Sequence, residues 1–285
     1  MREVTLSRPG LPVAAATFLA CVATILEVEP EALPELRDEQ DPAADWLLSG
    51  WLGTLGVGMA SVADPGTFAW AGPWIARLRE PDGGSRCVVM FGRTPSGVVW
   101  DPAGDGEIAD AAIEAGFLIA AEDIALALPA RAAQATGSGT LEEIWVAPTA
   151  GEPVQPRDAA TLIAGVGIDG DRYTSGSGSF PSGRPGAALT LIEHEVCGSF
   201  EPPLRADEHR RNLVTRGIRL DSLLGSEFRI GGVLCRGIRP CEPCATMQRY
   251  AQRPLLRALV HRGGVRADIL ENGEIRTGDA VIPAP

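Results

Sequence analysis

Lysine is absent from the chain: all 25 basic residues are arginines. A pyridoxal-phosphate enzyme needs a lysine for its internal aldimine, and a P-loop nucleotide-binding protein needs the lysine of its GK[ST] motif. The chain therefore cannot perform either chemistry with its own residues. Histidine is also scarce, and His194, His209 and His261 all lie in the second half. The first half accordingly lacks the imidazole of a thiolate–imidazolium pair.

Long apolar segments are missing as well. No run without proline or charge reaches the roughly 20 residues of a membrane span. Residues 11–26 are apolar and follow Arg2 and Arg8, a pattern shared with export signals. However, residues 18–21 make a poor lipobox, and the apolar pattern continues past Cys21 without a cleavage site. We expect a cytoplasmic protein that has no membrane partner.

Cysteine is present but scattered. Six cysteines in 285 residues are too few for a disulfide scaffold, so we expect reduced thiols. A chain of this length is typical of about two domains. Residues 1–135 hold 8 arginines and 19 acidic residues, whereas residues 136–285 hold 17 and 18. The acidic first half argues against a nucleic-acid partner.

The first half has the pattern of an α+β domain over residues 1–130. Residues 13–28 have the composition of a helix, and Asp41 with Pro42 is typical of a second helix start. Short extended runs separated by turns follow at 74–78, 87–91 and 98–100. Helices followed by a small antiparallel sheet indicate α+β architecture.

Residues 17–28, 86–89 and 99–102 resemble the corresponding segments of bacterial papain-like cysteine peptidases. In that comparison Thr17 takes the place of the nucleophilic cysteine and Arg86 the place of the histidine, and only Asp101 matches. The resemblance implies an inactive domain that at most binds a peptide or partner.

Small and polar residues over 131–140 predict a linker, followed by a second domain over 141–285. Its predicted strands are 141–146, 161–163, 188–192, 265–270 and 280–282. Its predicted helices are 193–200 and 253–262. Asn272-Gly273 predicts a type I′ hairpin between the last two strands.

The stretch 210–247 organises the second half. Alternating apolar residues around Gly231-Gly232 predict two short strands joined by a hairpin. Pro240 and Pro243 cannot donate ladder hydrogen bonds, so the sheet is expected to end there. Cys241 and Cys244 are then presented on a stiff loop just beyond a strand.

The surroundings of these cysteines are basic. Residues 205–266 contain thirteen arginines and five acidic residues. Nearby cations lower the pKa of a thiol from about 8.5, and guanidinium groups bind phosphate or carboxylate. Two alternatives stay open: a buried cysteine pair under solvated arginines, and a zinc site completed by Cys235, Cys197 or His209. The cysteine spacing fits no common zinc pattern.

Four segments in order, 167–172, 211–213, 239–244 and 278–279, resemble the MOSC family, the molybdenum cofactor sulfurase C-terminal domain. The resemblance covers residues 139–285 and implies a β-rich, barrel-like fold. Such domains are associated with molybdopterin-type cofactors and with sulfur carriage. Some members reduce N-hydroxylated compounds with molybdenum, and the family cysteine is then the metal ligand.

The resemblance also implies residue roles. Cys244 aligns with the family cysteine and is expected to ligate molybdenum or to carry a persulfide, with Cys241 as a supporting thiol. The residues expected to bind the cofactor or another small anion are Arg172, Asp171, Arg211, Asn212 and Arg239. Pyridoxal phosphate is expected only on a partner desulfurase that donates sulfur. The alternative is a non-enzymatic partner- or peptide-binding protein with a pseudo-peptidase first half.

Overall fold

The computed structural model describes residues 1–36, 42–62, 65–93, 97–104, 113–123, 137–177 and 184–284. The chain divides into two compact units. The first is Met1–Ala121 with Cys244–Thr246, and the second is Glu122–Pro243 with Met247–Pro285. Residues 131–136 of the predicted linker lie outside the described residues, and by Gly139 the chain has entered a strand. None of the described helices is long and apolar enough to cross a membrane.

The first unit begins with helices α1 (Val13–Leu26) and α2 (Pro42–Thr54). Pro12 precedes α1, and Glu27 ends it in a left-handed conformation with φ 55°. The helix from residue 13 is confirmed and ends two residues earlier than predicted. Asp41, the predicted N-cap of the second helix, lies outside the described residues. Single 3₁₀ turns occur at Pro30–Ala32 and Pro65–Thr67.

Five antiparallel strands complete the first unit, in the order β1-β5-β2-β3-β4. They are β1 (Val57–Val62), β2 (Ala69–Arg79), β3 (Ser85–Arg93), β4 (Val98–Trp100) and β5 (Ile113–Ala121). The predicted helices followed by an antiparallel sheet are confirmed. Strands β1 and β5 were not predicted, because glycine, alanine and serine interrupt their apolar pattern. Helix α1 packs against β3.

The second unit is a β-barrel. Its strands are β6 (Gly139–Val146), β7 (Gln155–Arg157), β8 (Ala159–Ile163), β9 (Gly167–Ile168), β10 (Leu189–Glu193), β11 (Leu213–Arg216), β12 (Glu227–Ile230), β13 (Val233–Pro240), β14 (Val265–Ile269), β15 (Gly273–Arg276) and β16 (Ala280–Pro283). The larger sheet runs β11-β10-β14-β13-β12-β16-β6-β7, and an added β11–β6 pairing closes the ring. Only β10 and β11 pair in parallel within it. A smaller sheet, β15-β8-β9, completes the predicted β-rich architecture.

The predicted hairpin at the centre of the second unit is confirmed. Ile230 pairs with Val233, and the inward-facing residues of β12 and β13 are fully buried in the core. Gly231 adopts φ 55°, and a Cβ there would lie 2.6 Å from the Asp279 carboxylate. Glycine is therefore required at this turn. Strand β13 ends at Pro240, as the proline positions predicted.

Short helices join the barrel strands: α3 (His194–Gly198), α4 (Ala206–His209), α5 (Ala245–Ala251) and α6 (Leu256–Leu259), with a 3₁₀ turn at Leu220–Leu223. The predicted helix over 253–262 is thus reduced to one turn. The side chain of Arg253 instead forms a bidentate contact with Glu208, at 2.8 and 2.9 Å.

The predicted hairpin between the last two strands is wrong. Strand β15 begins immediately after Asn272 and pairs with β8, while β16 pairs with β12 and β6. The Asn272 side chain accepts the Ala164 N–H at 2.7 Å. The Asn-Gly pattern indicated a local turn, but β15 and β16 each pair with strands that are distant in sequence.

Candidate functional site

A buried carboxylate holds together several segments of the second unit. Asp171 is 3% exposed. Its Oδ2 accepts the Ala147 N–H at 3.0 Å and lies 3.4 Å from both Asn212 Nδ2 and Arg172 Nη1. Its Oδ1 accepts the Tyr173 N–H at 3.2 Å. Asp171 therefore fixes the turn after β9 against the end of β6, and it orients Arg172.

The side-chain oxygen and nitrogen of Asn212 both form hydrogen bonds within the second unit. Its Oδ1 accepts the Thr190 hydroxyl at 2.8 Å, and its Nδ2 donates to Trp145 O at 3.2 Å and to Asp171. Asn212 is 7% exposed. The structure gives this side chain a positioning role between β6, β10 and β11.

Arg211 points into the protein, where it is 6% exposed. Its Nε donates to Gly263 O at 2.9 Å, and its Nη2 donates to Cys241 O at 2.8 Å and to Glu242 O at 3.4 Å. Sequence analysis assigned this guanidinium to a phosphate. In the structure its Nε and Nη2 donors are directed at main-chain oxygens of the cysteine loop and of Gly263, so Arg211 positions this loop, and its contact with an anion stays a prediction.

His209 is buried beneath this network. Its Nδ1 accepts the Arg211 N–H at 2.9 Å, which requires a neutral ring with the proton on Nε2. Burial, and then the charge of Arg211, lower the pKa of His209 to about 3. A neutral, enclosed imidazole at this position supports the fold of the Arg211 segment.

The loop at 241–244 contains one inaccessible thiol and one partly accessible thiol. Cys241 is 1% exposed, and its N–H donates to Gly264 O at 2.8 Å. Gly263 packs so closely that a Cβ there would lie 2.2 Å from Cys241 O. Cys244 is half-buried and directly precedes α5. Of the two cysteines, Cys244 is the more accessible to a ligand.

The remaining cysteines are core residues. All six lie in the described part of the chain, and none of them forms a disulfide. Burial raises the pKa of Cys197 and of Cys235 to about 12. Both thiols stay protonated at neutral pH. Among the described residues no three His, Cys, Asp or Glu side chains form a metal-ligand group.

Glu242, between the two cysteines, holds His261. Its Oε2 accepts the His261 main-chain N–H at 2.9 Å, and its Oε1 lies 3.0 Å from Nδ1 of the ring. His261 has a left-handed backbone with φ 55°, which is uncommon outside glycine. The carboxylate therefore stabilises a tight turn that faces the cysteine loop. Sequence reasoning missed this pair because nineteen positions separate the two residues.

Two other arginines have mostly unused donors. Arg172 lies over the Tyr173 ring at 5.0 Å, and Arg210 lies over the Tyr250 ring at 4.3 Å. Within the described residues, each guanidinium makes one side-chain hydrogen bond from its five N–H donors: Arg172 to Asp171, and Arg210 to Glu152 O at 2.8 Å. Burial, and then the positive charge of Arg172, lower the pKa of Arg210. Arg172 is thus one of the charged groups that act on Arg210.

Arg239, the remaining predicted cofactor residue, lies near the end of β13. Its Nε donates to Pro185 O at 3.2 Å, and it is paired across the strands with Arg266. The structure brings it beside the turn that precedes β10. Its contact with an anion stays a prediction.

The second unit also has a cavity of about 380 Å³ away from these residues. It is lined by Glu143, Trp145, Val154, Leu204, Arg205, Ala206 and Asp207. Its carboxylates are paired within the protein, Glu143 with the Trp145 indole at 2.6 Å and Asp207 with Arg205 at 3.1 Å. None of the residues predicted from sequence lines it.

In the first unit, the positions compared with a peptidase triad carry no nucleophile–base pair. Thr17 Oγ1 donates to Val13 O at 2.8 Å and accepts the Cys87 N–H at 2.9 Å. Arg86 Nε lies 3.3 Å from Asp101 Oδ2. The threonine hydroxyl is therefore used to attach α1 to β3. The papain-like resemblance itself stays a prediction.

The second unit is a closed, mainly antiparallel β-barrel domain, and it contains Arg172, Arg210 and Cys241. Residues 185–282 match the MOSC domain family, and the chain contains a MOSC domain there. The matched region includes Arg210, Asn212 and Cys244, whereas Asp171 and Arg172 precede it.

Solved structures similar to the chain include the YUAD protein from Bacillus subtilis, 19% identical, with a TM-score of 0.43 over 50% of this chain and 94% of that chain. YiiM from Geobacillus stearothermophilus is 18% identical, with a TM-score of 0.40 over 52% and 75%. YiiM from Escherichia coli is 17% identical, with a TM-score of 0.40 over 52% and 70%. No curated protein matches the chain.

Proposed function

We propose that the MOSC-containing unit binds an anionic cofactor of the molybdenum–pterin type. Arg172 and Arg210 would hold its phosphate group, and Cys244 would supply a thiolate to the metal. The observation that carries the proposal is that Arg172 and Arg210 are partly buried and that, within the described residues, each guanidinium makes one hydrogen bond. Arg172 is 9% exposed and Arg210 is half-buried, and burying a positive charge has a cost that a bound anion offsets.

The residues fit such a group. Guanidinium groups bind phosphate through several charge-assisted hydrogen bonds, and both arginines retain donors for it. A thiolate is a soft ligand suited to molybdenum, and Cys244 is a partly accessible thiol. Bound molybdenum would supply oxidation–reduction chemistry, such as the reduction of N-hydroxylated compounds that the sequence resemblance implies.

The other residues of the site act on these groups. Asp171 accepts a hydrogen bond from Arg172 and so fixes its orientation. Arg211 holds the main chain at Cys241 and Glu242, next to Pro243, and this limits the directions available to the Cys244 side chain. Asn212 keeps Asp171 and the neighbouring strands in register.

Sulfur carriage is the second candidate function, favoured because Cys244 is the one cysteine of the six that is not fully buried. In this function Cys244 holds a persulfide and no metal. The sulfur would come from a partner desulfurase, because the chain has no lysine for pyridoxal phosphate. A peptide- or partner-binding role of the first unit is compatible with either function.

Metal and cofactor analysis of the purified full chain tests the proposal. Molybdenum and a releasable pterin, both lost in Cys244→Ser and in Arg210→Gln, would support it. An exposed matched control is Arg257→Gln on α6, which is expected to retain both. Cyanide-labile sulfur without molybdenum would select sulfur carriage. A chain that retains neither after expression with cofactor and sulfur donors would overturn both candidates.

A further inference from the structure

The chain contains two tyrosines, and each lies against the guanidinium of Arg172 or of Arg210. The Arg172 guanidinium carbon is 5.0 Å from the centre of the Tyr173 ring, and that of Arg210 is 4.3 Å from the centre of the Tyr250 ring. Both rings are half-buried. A cation over an aromatic face is attracted more strongly where water is partly excluded.

The contact between Arg210 and Tyr250 is supported on several sides. Arg210 has a left-handed backbone with φ 53°, an uncommon conformation for a residue other than glycine. Its Nη2 is anchored to Glu152 O. The Tyr250 hydroxyl packs beside Gly151, where a Cβ would lie 3.8 Å away. The ring, the loop and the strained backbone therefore all restrict one guanidinium.

The contact between Arg253 and Phe200 in the second unit differs in the hydrogen bonds that the arginine makes. Arg253 lies over the Phe200 ring at 5.7 Å, but its donors are directed at Glu208 and at the carbonyls of Pro202 and Pro203. Four of its five N–H donors are therefore used by the protein. Each guanidinium over a tyrosine makes one side-chain hydrogen bond with the part of the chain that the structure describes, which leaves most of its N–H donors for a ligand.

We propose that Tyr173 and Tyr250 are positioning residues, which hold Arg172 and Arg210 in one arrangement and make the pair selective for a phosphate monoester. This inference rests on the proposed function and names its ligand chemistry. A doubly charged phosphate has enough oxygens to accept from both guanidiniums at once, whereas a carboxylate has two oxygens and one charge. Arginines held by the rings lose less side-chain freedom on binding than mobile ones do.

The test is calorimetric titration of the full chain with phenyl phosphate, inorganic phosphate and benzoate. The wild type is expected to prefer both phosphates to benzoate. Tyr250→Phe keeps the aromatic face and should bind phosphate within about twofold of wild type. Tyr250→Leu removes it and should bind about 5- to 30-fold more weakly, the range expected for loss of a partly desolvated cation–π contact. Phe200→Leu, under Arg253, is the matched control and should leave phosphate binding unchanged.

Equal binding by Tyr250→Leu and wild type, or equal weakening by Tyr250→Phe and Tyr250→Leu, would overturn the inference. Thermal unfolding monitors each variant, and if Tyr250→Leu does not fold, Tyr173→Phe and Tyr173→Leu make the same comparison at the other ring. If Arg210→Gln loses phosphate binding and the tyrosine variants do not, the role of the tyrosines is refuted and the proposed anion site is retained. If phosphate binding depends on the tyrosine rings but the chain never retains molybdenum, the proposed cofactor is refuted and the role of the tyrosines is retained.

Discussion

Arg210 and Arg211 are adjacent in sequence, yet their guanidiniums have opposite environments. Arg210 lies over the Tyr250 ring and makes one side-chain hydrogen bond within the described residues, whereas Arg211 donates to the carbonyls of Gly263, Cys241 and Glu242. Arg210 has a left-handed backbone, with φ 53°, where helix α4 ends. One arginine is therefore available to a ligand, and the other belongs to the fold.

This difference predicts opposite effects of the same substitution. Arg210→Gln should weaken phosphate binding by about 10- to 150-fold, which corresponds to about 1.5–3 kcal/mol for a charged hydrogen-bond partner, with little change in Tm. Arg211→Gln should instead lower the free energy of unfolding by about 2–4 kcal/mol, because buried carbonyls lose their donors. Calorimetry and urea unfolding separate the two effects, with exposed Arg257→Gln as control. A ligand-binding defect confined to Arg211→Gln would reverse the assignment.

Acid should destabilise the second unit through His209. The folded pKa of about 3 lies below the ordinary value of 6.5, so the unfolded chain binds the proton first as pH falls. The contribution of neutral His209 to the free energy of unfolding is therefore complete above pH 6.5, and it is lost as the pH falls from 6.5 to about 3. Urea unfolding at pH 7 and pH 4.5 should show a loss of about 2–3 kcal/mol from this residue.

Two variants isolate that contribution. His209→Gln retains an acceptor for the Arg211 N–H but has no proton to bind, so its stability should depend less on pH than that of wild type. His194→Gln removes a histidine at a less buried position and should keep the wild-type dependence. Identical pH profiles for wild type and His209→Gln would show that other groups control acid stability.

The two thiols of the cysteine loop should react at different rates. Iodoacetamide should modify Cys244 in the folded protein well before Cys241, which is 1% exposed and enclosed by Gly263. Cys244→Ser should abolish molybdenum retention or persulfide formation, while Cys241→Ser keeps most of it. Mass spectrometry of timed alkylation gives the order of modification. If Cys241 is modified first, the assignment of Cys244 as the functional thiol is wrong.

Glu242 should stabilise the cysteine loop through His261. Glu242→Ala removes both contacts with His261 and should lower the free energy of unfolding by about 1–3 kcal/mol and accelerate alkylation of Cys241. The control is Glu271→Ala, whose ion pair with Arg229 is exposed and should contribute less than about 1 kcal/mol. Equal effects of the two substitutions would mean that the Glu242–His261 contact does not hold the loop.

The first unit should have no peptidase activity. Thr17 stands at the nucleophile position of the comparison, and its hydroxyl binds main-chain groups at Val13 and Cys87. Thr17→Ala should therefore cost about 1–3 kcal/mol of stability and change no hydrolytic rate. Peptide turnover by the wild type, or labelling of Cys21 or Cys87 by a cysteine-peptidase probe, would contradict this expectation.

Local patterns were sufficient for several elements. The alternation around Gly231-Gly232 predicted the central hairpin, and Pro240 predicted where its second strand ends. These features depend on neighbours in sequence, on strand periodicity and on the missing N–H of proline. They can therefore be predicted from the sequence alone. The order of helices and strands in the first half was predictable for the same reason, whereas the barrel-like second unit was expected from the resemblance to the MOSC family.

The sequence by itself also determined which chemistries are excluded, since a chain without lysine cannot form an internal aldimine. Only the tertiary structure decided which partner β15 joins, which of two adjacent arginines is available, and that Glu242 contacts His261. Strand partners and side-chain contacts depend on packing between distant segments. The left-handed backbone of Arg210 is likewise a feature that arginine composition does not predict.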